Sequence, residues 1–190
     1  MDKRQQLVTT AFELFYRHGI HAVGINQILQ ASGVAKKTLY HHFSSKEALV
    51  AAVVAYRDAA YQEWLDARLA QGEQTVTGVI HSLFMALDDW FNDRAAPLTR
   101  FHGCFFINAS GEYGDPGHEV HRQCARHKEA VMNLLADYLQ RTGLAAPAAS
   151  RLAQALGLLK EGAIVQAHVQ GEKRAALSAR ELALRLPDSE

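Results

Sequence analysis

Apolar residues recur at steps of three and four along the whole chain, and alternating runs of the strand kind are nearly absent. A period near 3.6 puts such residues on one helix face, so the pattern commits the chain to an all-α fold. Nine helices are expected, at about 2–18, 25–32, 36–42, 46–71, 75–92, 101–111, 117–142, 148–170 and 173–186. Gly19, Gly33, Gly72, Gly143 and Gly171 each follow a periodic stretch as helix stops, and Pro97 and Pro147 stand in links. Ser44 or Ser45 is expected to cap the fourth helix. Glu47 then falls in its first turn, where the helix dipole favours a carboxylate.

With 190 residues, 48% of them hydrophobic and 21% charged, the chain can bury a sizeable core and lies outside the disordered range. The opening MDKRQQLVTT lacks a signal-peptide run, no stretch has the apolar length of a membrane span, and two cysteines are too few for a disulfide scaffold. A cytoplasmic location is therefore expected, with no membrane partner. No Gly-rich phosphate loop, Ser-His-Asp order or paired-carboxylate motif is found, so neither an enzyme nor a cofactor is expected.

The net charge of zero hides an uneven distribution. Residues 1–50 carry six basic and three acidic side chains, a net +3, and the remainder carries fourteen against seventeen, a net −3. A basic head on an acidic body suits a DNA-binding module that keeps the rest of the protein off the phosphates. The charge asymmetry separates a basic head, 1–50, from an acidic helical body, 51–190.

The most informative segment is Ile25–Phe43, INQILQASGVAKKTLYHHF. Ile28, Leu29, Val34, Leu39 and Phe43 can bury themselves, and Gly33 stands where a tight turn between two short helices needs positive φ. Lys36, Lys37, Thr38, Tyr40, His41 and His42 then form an exposed face of cations, a hydroxyl and flat donors, the mixture a major-groove helix needs. An ordinary helical hairpin with a solvated basic face fits the same pattern.

Ala11, Phe12, Phe15, Gly19, Ile28, Ala31, Gly33, Val34, Thr38, Leu39, Tyr40, His42, Phe43, Lys46, Glu47 and Leu49 choose between them. At this spacing they resemble the head of the tetracycline-repressor (TetR) family of bacterial regulators. The resemblance implies a helix-turn-helix DNA-binding domain over 1–50, its motif at about 24–43, and a helical ligand-binding and dimerisation domain over 51–190. It further implies a subunit of nine or ten helices, a homodimer formed by the last two helices, and repression of a near-palindromic operator relieved by a small molecule. It also implies phosphate contacts for Tyr40 and His42 and a phosphate-clamping role for Lys46, with Lys36, Lys37 and His41 at the base-reading positions. Two features depart from the family pattern. The second helix starts at Val23-Gly24-Ile25 without the usual hydroxyl, and Lys37 stands where a small residue is common.

For the body, an apolar effector pocket is expected to draw on Trp64, Phe84, Cys104, Phe105, Asn108 and His168, with His81 as a further polar contact. Leu152, Leu156, Leu159, Ile164, Leu177, Leu182 and Leu184 are expected to supply the dimer contact, and Lys160–Glu161 an exposed pair near it or an ion pair in the pocket. Cys104, in an apolar helix, is either a buried small hydrophobe or a sensor of electrophiles and oxidants. His118, His121, Cys124 and His127 recur at steps of three. Their drift around a helix puts first and last on opposite faces, so one helix cannot close a zinc site without help from His102 or Cys104. Polar residues on a partly exposed helix, with His118 capping the preceding turn, are the expected reading, and no metal is assigned. The competing class is a helical small-molecule or metal-binding protein with an incidental basic head.

Overall fold

The computed structural model describes residues 2–186. Among them are nine α-helices and no strand: α1 (Lys3–His18), α2 (Ile25–Ser32), α3 (Lys36–His42), α4 (Lys46–Ala70), α5 (Val76–Phe91), α6 (Phe105–Glu112), α7 (Glu119–Arg141), α8 (Ala146–Val169) and α9 (Ala175–Ala183). None of them is long and apolar enough to cross a membrane. α2 and α3 occupy their expected limits. The largest departure is α6, which begins at Phe105 instead of near residue 101. Gly103 is the reason: its φ of +82° is outside the right-handed helix, and a Cβ there would lie 2.8 Å from the His168 ring. Cys104 is thus the residue that caps α6, not one within it. Pro147, expected in a link, sits in the first turn of α8, where its missing N–H leaves no bond unmade.

The described chain packs as two compact units, one holding the residues up to Ala59 with Cys104–His127, the other Ala60–Gly103 with Lys128 onward. In the first, α1 lies against α2 and α3. Leu7, Ala11, Phe12 and Phe15 of α1, Ile28 of α2, Leu39 of α3 and Leu49 and Val53 of α4 are all buried. Gln6 Nε2 donates to the Ser32 carbonyl over 2.8 Å and so ties α1 to the end of α2. Phe105 meets Phe12 and Tyr16 edge-on at 5.4 and 6.1 Å. The buried Arg57 guanidinium lies 5.4 Å from the Phe12 ring and 5.7 Å from that of Tyr16.

In the second unit α5 packs against α8 and α9, which pack on each other. α5 starts on a side-chain cap, Thr75 Oγ1 accepting from Gly78 N at 3.0 Å. Ala175, Ala176, Ala179 and Ala183 form the buried side of α9, and such small residues permit close helix approach. Two expectations for α8 change here. Leu156 and Ile164 are buried inside the subunit, on the stripe shared by Lys160, Ala163 and Ala167, so neither is available as a dimer contact. Lys160 is not part of an exposed pair either: it is 2% exposed, and its ammonium is held by the Glu161 carboxylate.

Glu161 is shared, since Lys128 Nζ also reaches both its oxygens at 2.8 Å. Burial opposes the Glu161 charge, but Lys160 and Lys128 together overcome it and hold the carboxyl below its ordinary pKa. The stability this adds is full above the ordinary glutamate pKa and is lost as pH falls through the depressed one. Glu161→Gln is expected to cost about 1–3 kcal/mol at neutral pH, because the buried Lys160 loses its counter-ion. The gap to the unaltered protein should close in acid, and urea unfolding at neutral and acid pH checks both.

Candidate DNA-binding site

The start of α2 lacks a hydroxyl cap, as the sequence indicates, yet its amides are not left bare. Gly24 N donates to Gln27 Oε1 at 3.0 Å, and Gln27 N donates back to the Gly24 carbonyl at 3.1 Å. The glutamine half of a capping box therefore replaces the missing serine or threonine. Gly33 then stops α2 in the left-handed region, φ 63° and ψ 15°, its N–H bonded to the Leu29 carbonyl at 2.9 Å. Three residues later α3 begins.

α3 divides cleanly. Leu39 and the following Phe43 are buried, while Lys36, Lys37, Tyr40 and His41 are exposed and Thr38 and His42 half-buried. Tyr40 stands 47% exposed, large for an aromatic ring on a helix otherwise anchored in a core. Beyond the helix, the Ser45 hydroxyl accepts from Ala48 N at 3.1 Å and so caps α4. Backbone N–H and the Ser45 hydroxyl together hold the Glu47 carboxyl below its ordinary pKa.

Lys46 differs from its sequence reading in one respect. Its ammonium is not simply extended to solvent: Nζ donates to the Ile20 carbonyl at 2.7 Å and lies 5.9 Å from the Phe15 ring. An ammonium has three donors, so this bond leaves others for a phosphate. The residue that sequence reasoning missed entirely is Glu112, the last of α6. Its Oε1 accepts from Ile20 N at 2.7 Å and its Oε2 from His21 N at 2.6 Å. No local pattern marks it, because its partners lie over ninety residues away.

The histidines weighed as metal ligands have other partners. His118 Nδ1 accepts from Val120 N at 3.2 Å, and its ring stacks on Tyr113. His121 Nδ1 donates to the Tyr113 carbonyl at 2.8 Å. His127 is buried, not on a partly exposed face: it stacks on Phe106 at 3.4 Å and its Nδ1 is 2.6 Å from Asp58 Oδ1. Cys124 is buried beside this stretch as well. Among the described residues no group of three or more His, Cys, Asp or Glu is placed to share a metal ion.

The expected pocket residues fall into two sets. Cys104, Phe105 and Asn108 belong to the first unit, and Trp64, Phe84 and His168 to the second. Phe84 is wholly buried, whereas Trp64 and His168 bracket a chain of ring contacts through Trp90 and Phe101 at 6.3, 5.0 and 6.1 Å. His81 lines a separate cavity of about 390 Å³ with Glu73, Ser82 and Leu184.

A short helix anchored on two apolar residues after a left-handed turn, with cations and a tyrosine on its outer face, has the geometry of a helix-turn-helix DNA-binding head. Known proteins agree. Residues 7–53 match the profile of bacterial regulatory proteins of the tetR family, and residues 80–181 that of the LmrA/YxaF-like transcriptional-regulator C-terminal domain. The chain belongs to the TetR family. It is 26% identical over 139 residues to the transcriptional repressor NemR of Escherichia coli, covering 73% of this chain and 68% of that protein. It is 33% identical over 79 residues to the regulator YxaF of Bacillus subtilis, 41% of each chain. A TetR-family regulator from Streptomyces coelicolor superposes with a TM-score of 0.82 at 28% identity, over 96% of this chain and 94% of that one. Reduced NemR of Escherichia coli shares the fold, with a TM-score of 0.82 at 24% identity over 96% and 95%. A helical binding protein with an incidental basic head is thereby set aside, and no enzyme activity is assigned.

Lys46→Ala is expected to weaken binding to every duplex alike and to flatten the log–log salt dependence by about one unit for the phosphate contact removed. Titration at several salt concentrations measures this. A loss confined to one DNA sequence would mean that Lys46 reads bases.

Proposed function

We propose that this regulator is a repressor that pairs as a homodimer, lays α3 of each subunit in the major groove, and leaves DNA when a small molecule binds its body. The exposed face of α3 carries the reading. Lys36, Lys37 and His41 meet base edges or straddle them, Thr38, Tyr40 and His42 hold flanking phosphates, and Lys46 clamps the backbone from the start of α4. Two such helices about one DNA turn apart, roughly 34–36 Å, suit a near-palindromic operator.

Exposed apolar side chains support the pairing. Leu158, Val165 and Val169 of α8 are 78%, 47% and 74% exposed, and Leu182 of α9 is 52% exposed. Steps of seven and four put the three on one face of α8, turned away from the buried Leu156–Ile164 stripe. Leu152, Leu159, Leu177 and Leu184, all half-buried, flank that face and complete an isologous contact of helices from both subunits. Replacing Leu158 and Val169 together by glutamate is expected to yield monomers by sedimentation. A double variant that stays dimeric would place the interface elsewhere.

The effector is proposed to be a largely apolar small molecule with few polar groups, held beside the Trp64–Trp90–Phe101–His168 rings. Swinging the protein from almost fully bound to almost fully free requires that it favour the released state by roughly 5.5 kcal/mol. A mobility-shift assay on the DNA flanking the protein's own gene, with and without candidate compounds, tests repressor and effector together. Compounds that bind without displacing DNA would count against the reading. A second reading makes Cys104 the sensor, as this residue is a free thiol at the N-terminal end of α6. NemR has been solved in a form described as reduced. Release by electrophiles that survives Cys104→Ser would dispose of it.

A further inference from the structure

The peptide between Ile20 and His21 is gripped from both ends. Its N–H, that of His21, donates to Glu112 Oε2 at 2.6 Å, and its C=O, that of Ile20, accepts from Lys46 Nζ at 2.7 Å. A trans peptide points these two groups in opposite directions, so a carboxylate and an ammonium face each other across one peptide plane. Each lies at the end of the peptide dipole that favours it, and each bond is charge-assisted. The other Glu112 oxygen takes the preceding amide, Ile20 N, at 2.7 Å, and the His21 imidazole lies 3.0 Å from Oε2.

The surroundings are shaped for this grip. Gly19 ends α1 at φ +86°, and a Cβ on it would stand 3.3 Å from Glu112 Oε1, closer than side chains normally pack. Tyr113, next to Glu112, lies between the His21 and His118 rings at 5.0 and 4.6 Å, and its carbonyl accepts from His121. The histidine run at the start of α7 thus secures the end of α6 from which Glu112 projects.

We propose that Glu112 is a positioning residue for DNA binding: it touches no DNA, but by holding the Ile20–His21 link it sets where α2 begins and where the Lys46 ammonium sits. The link leads into α2 four residues on, and Lys46 opens α4 four residues after α3 ends, so both neighbours of α3 hang on the gripped peptide. α6 is thereby tied to the DNA-binding head by a carboxylate, in addition to apolar contact. Glutamine cannot replace it, because each carboxylate oxygen accepts one N–H and an amide group would turn its own N–H toward one of them.

The test compares full-length Glu112→Gln with the unaltered protein on a duplex recovered from a random-sequence pool by the unaltered protein. The variant is expected to bind it about tenfold or more weakly, from the loss of charge-assisted bonds. The salt slope should flatten by no more than about one unit, since Lys46 is the proposed phosphate contact whose position depends on the grip. Amide hydrogen exchange at Ile20 and His21 should speed up, with helical circular dichroism retained. Three results would overturn the proposal. Affinity could stay equal to that of the unaltered protein. It could fall with the salt slope flattened by several units, which would put the loss at the phosphate contacts of α3 and not at the grip. Or it could fall only in step with lost helical signal, which would make Glu112 a folding residue.

Discussion

A helix of seven residues does not hold its shape in water, because the cost of nucleating it exceeds what so few internal bonds return. α3 exists only because Leu39 and Phe43 are buried against the rest of the head, with α1 packed on α2 and α3. Everything on its outer face inherits that dependence. Lys36, Lys37, Tyr40 and His41 are presented as a set because the opposite side is locked, and the left-handed Gly33 turn fixes the angle at which it is offered. The side chains free to meet DNA are those the core has no use for.

The same logic runs one layer deeper. The core under α3 is framed by the α1–α2 link and the start of α4, and these meet at a single peptide held by Glu112 and Lys46. A basic residue proposed to clamp phosphate thus also has an internal partner. The histidines of α7 show the converse: residue types suited to metal chemistry are spent on stacking and on bonds to backbone, with His118 and His121 steadying Tyr113 and His127 buried against Phe106 and Asp58. Chemical type alone does not decide between a ligand and a strut. Neighbours do.

Much of the head was legible before any coordinates. α2 and α3 lie at their expected limits because their signals are local: apolar steps of three and four, a glycine stop and a polar outer face. The Gln27 cap has a local signal as well, a glutamine three residues beyond Gly24, but the sequence reading assigned it no role. The start of α6 was misplaced, since the Gly103 turn is demanded by the His168 ring sixty-five residues on and not by its neighbours. For α8 the error was one of rotation. Leucines recur on more than one face, and periodicity does not say which is turned inward, so Leu156 and Ile164 were assigned outward while Leu158 and Val169 hold the exposed positions.

The amino-acid sequence by itself determined the all-helical fold, the limits of α2 and α3 and the residues on the outer face of α3, because these follow from backbone preference and from spacing within a few residues. Tertiary structure alone decided which stripe of α8 is buried, that Lys160 is an interior cation paired with Glu161, that His121 bonds the Tyr113 carbonyl, and that Glu112 grips the α1–α2 link. Each of these is a choice among partners far apart in the chain. Hydrogen bonds and charges select by distance in space, a quantity the order of residues does not carry.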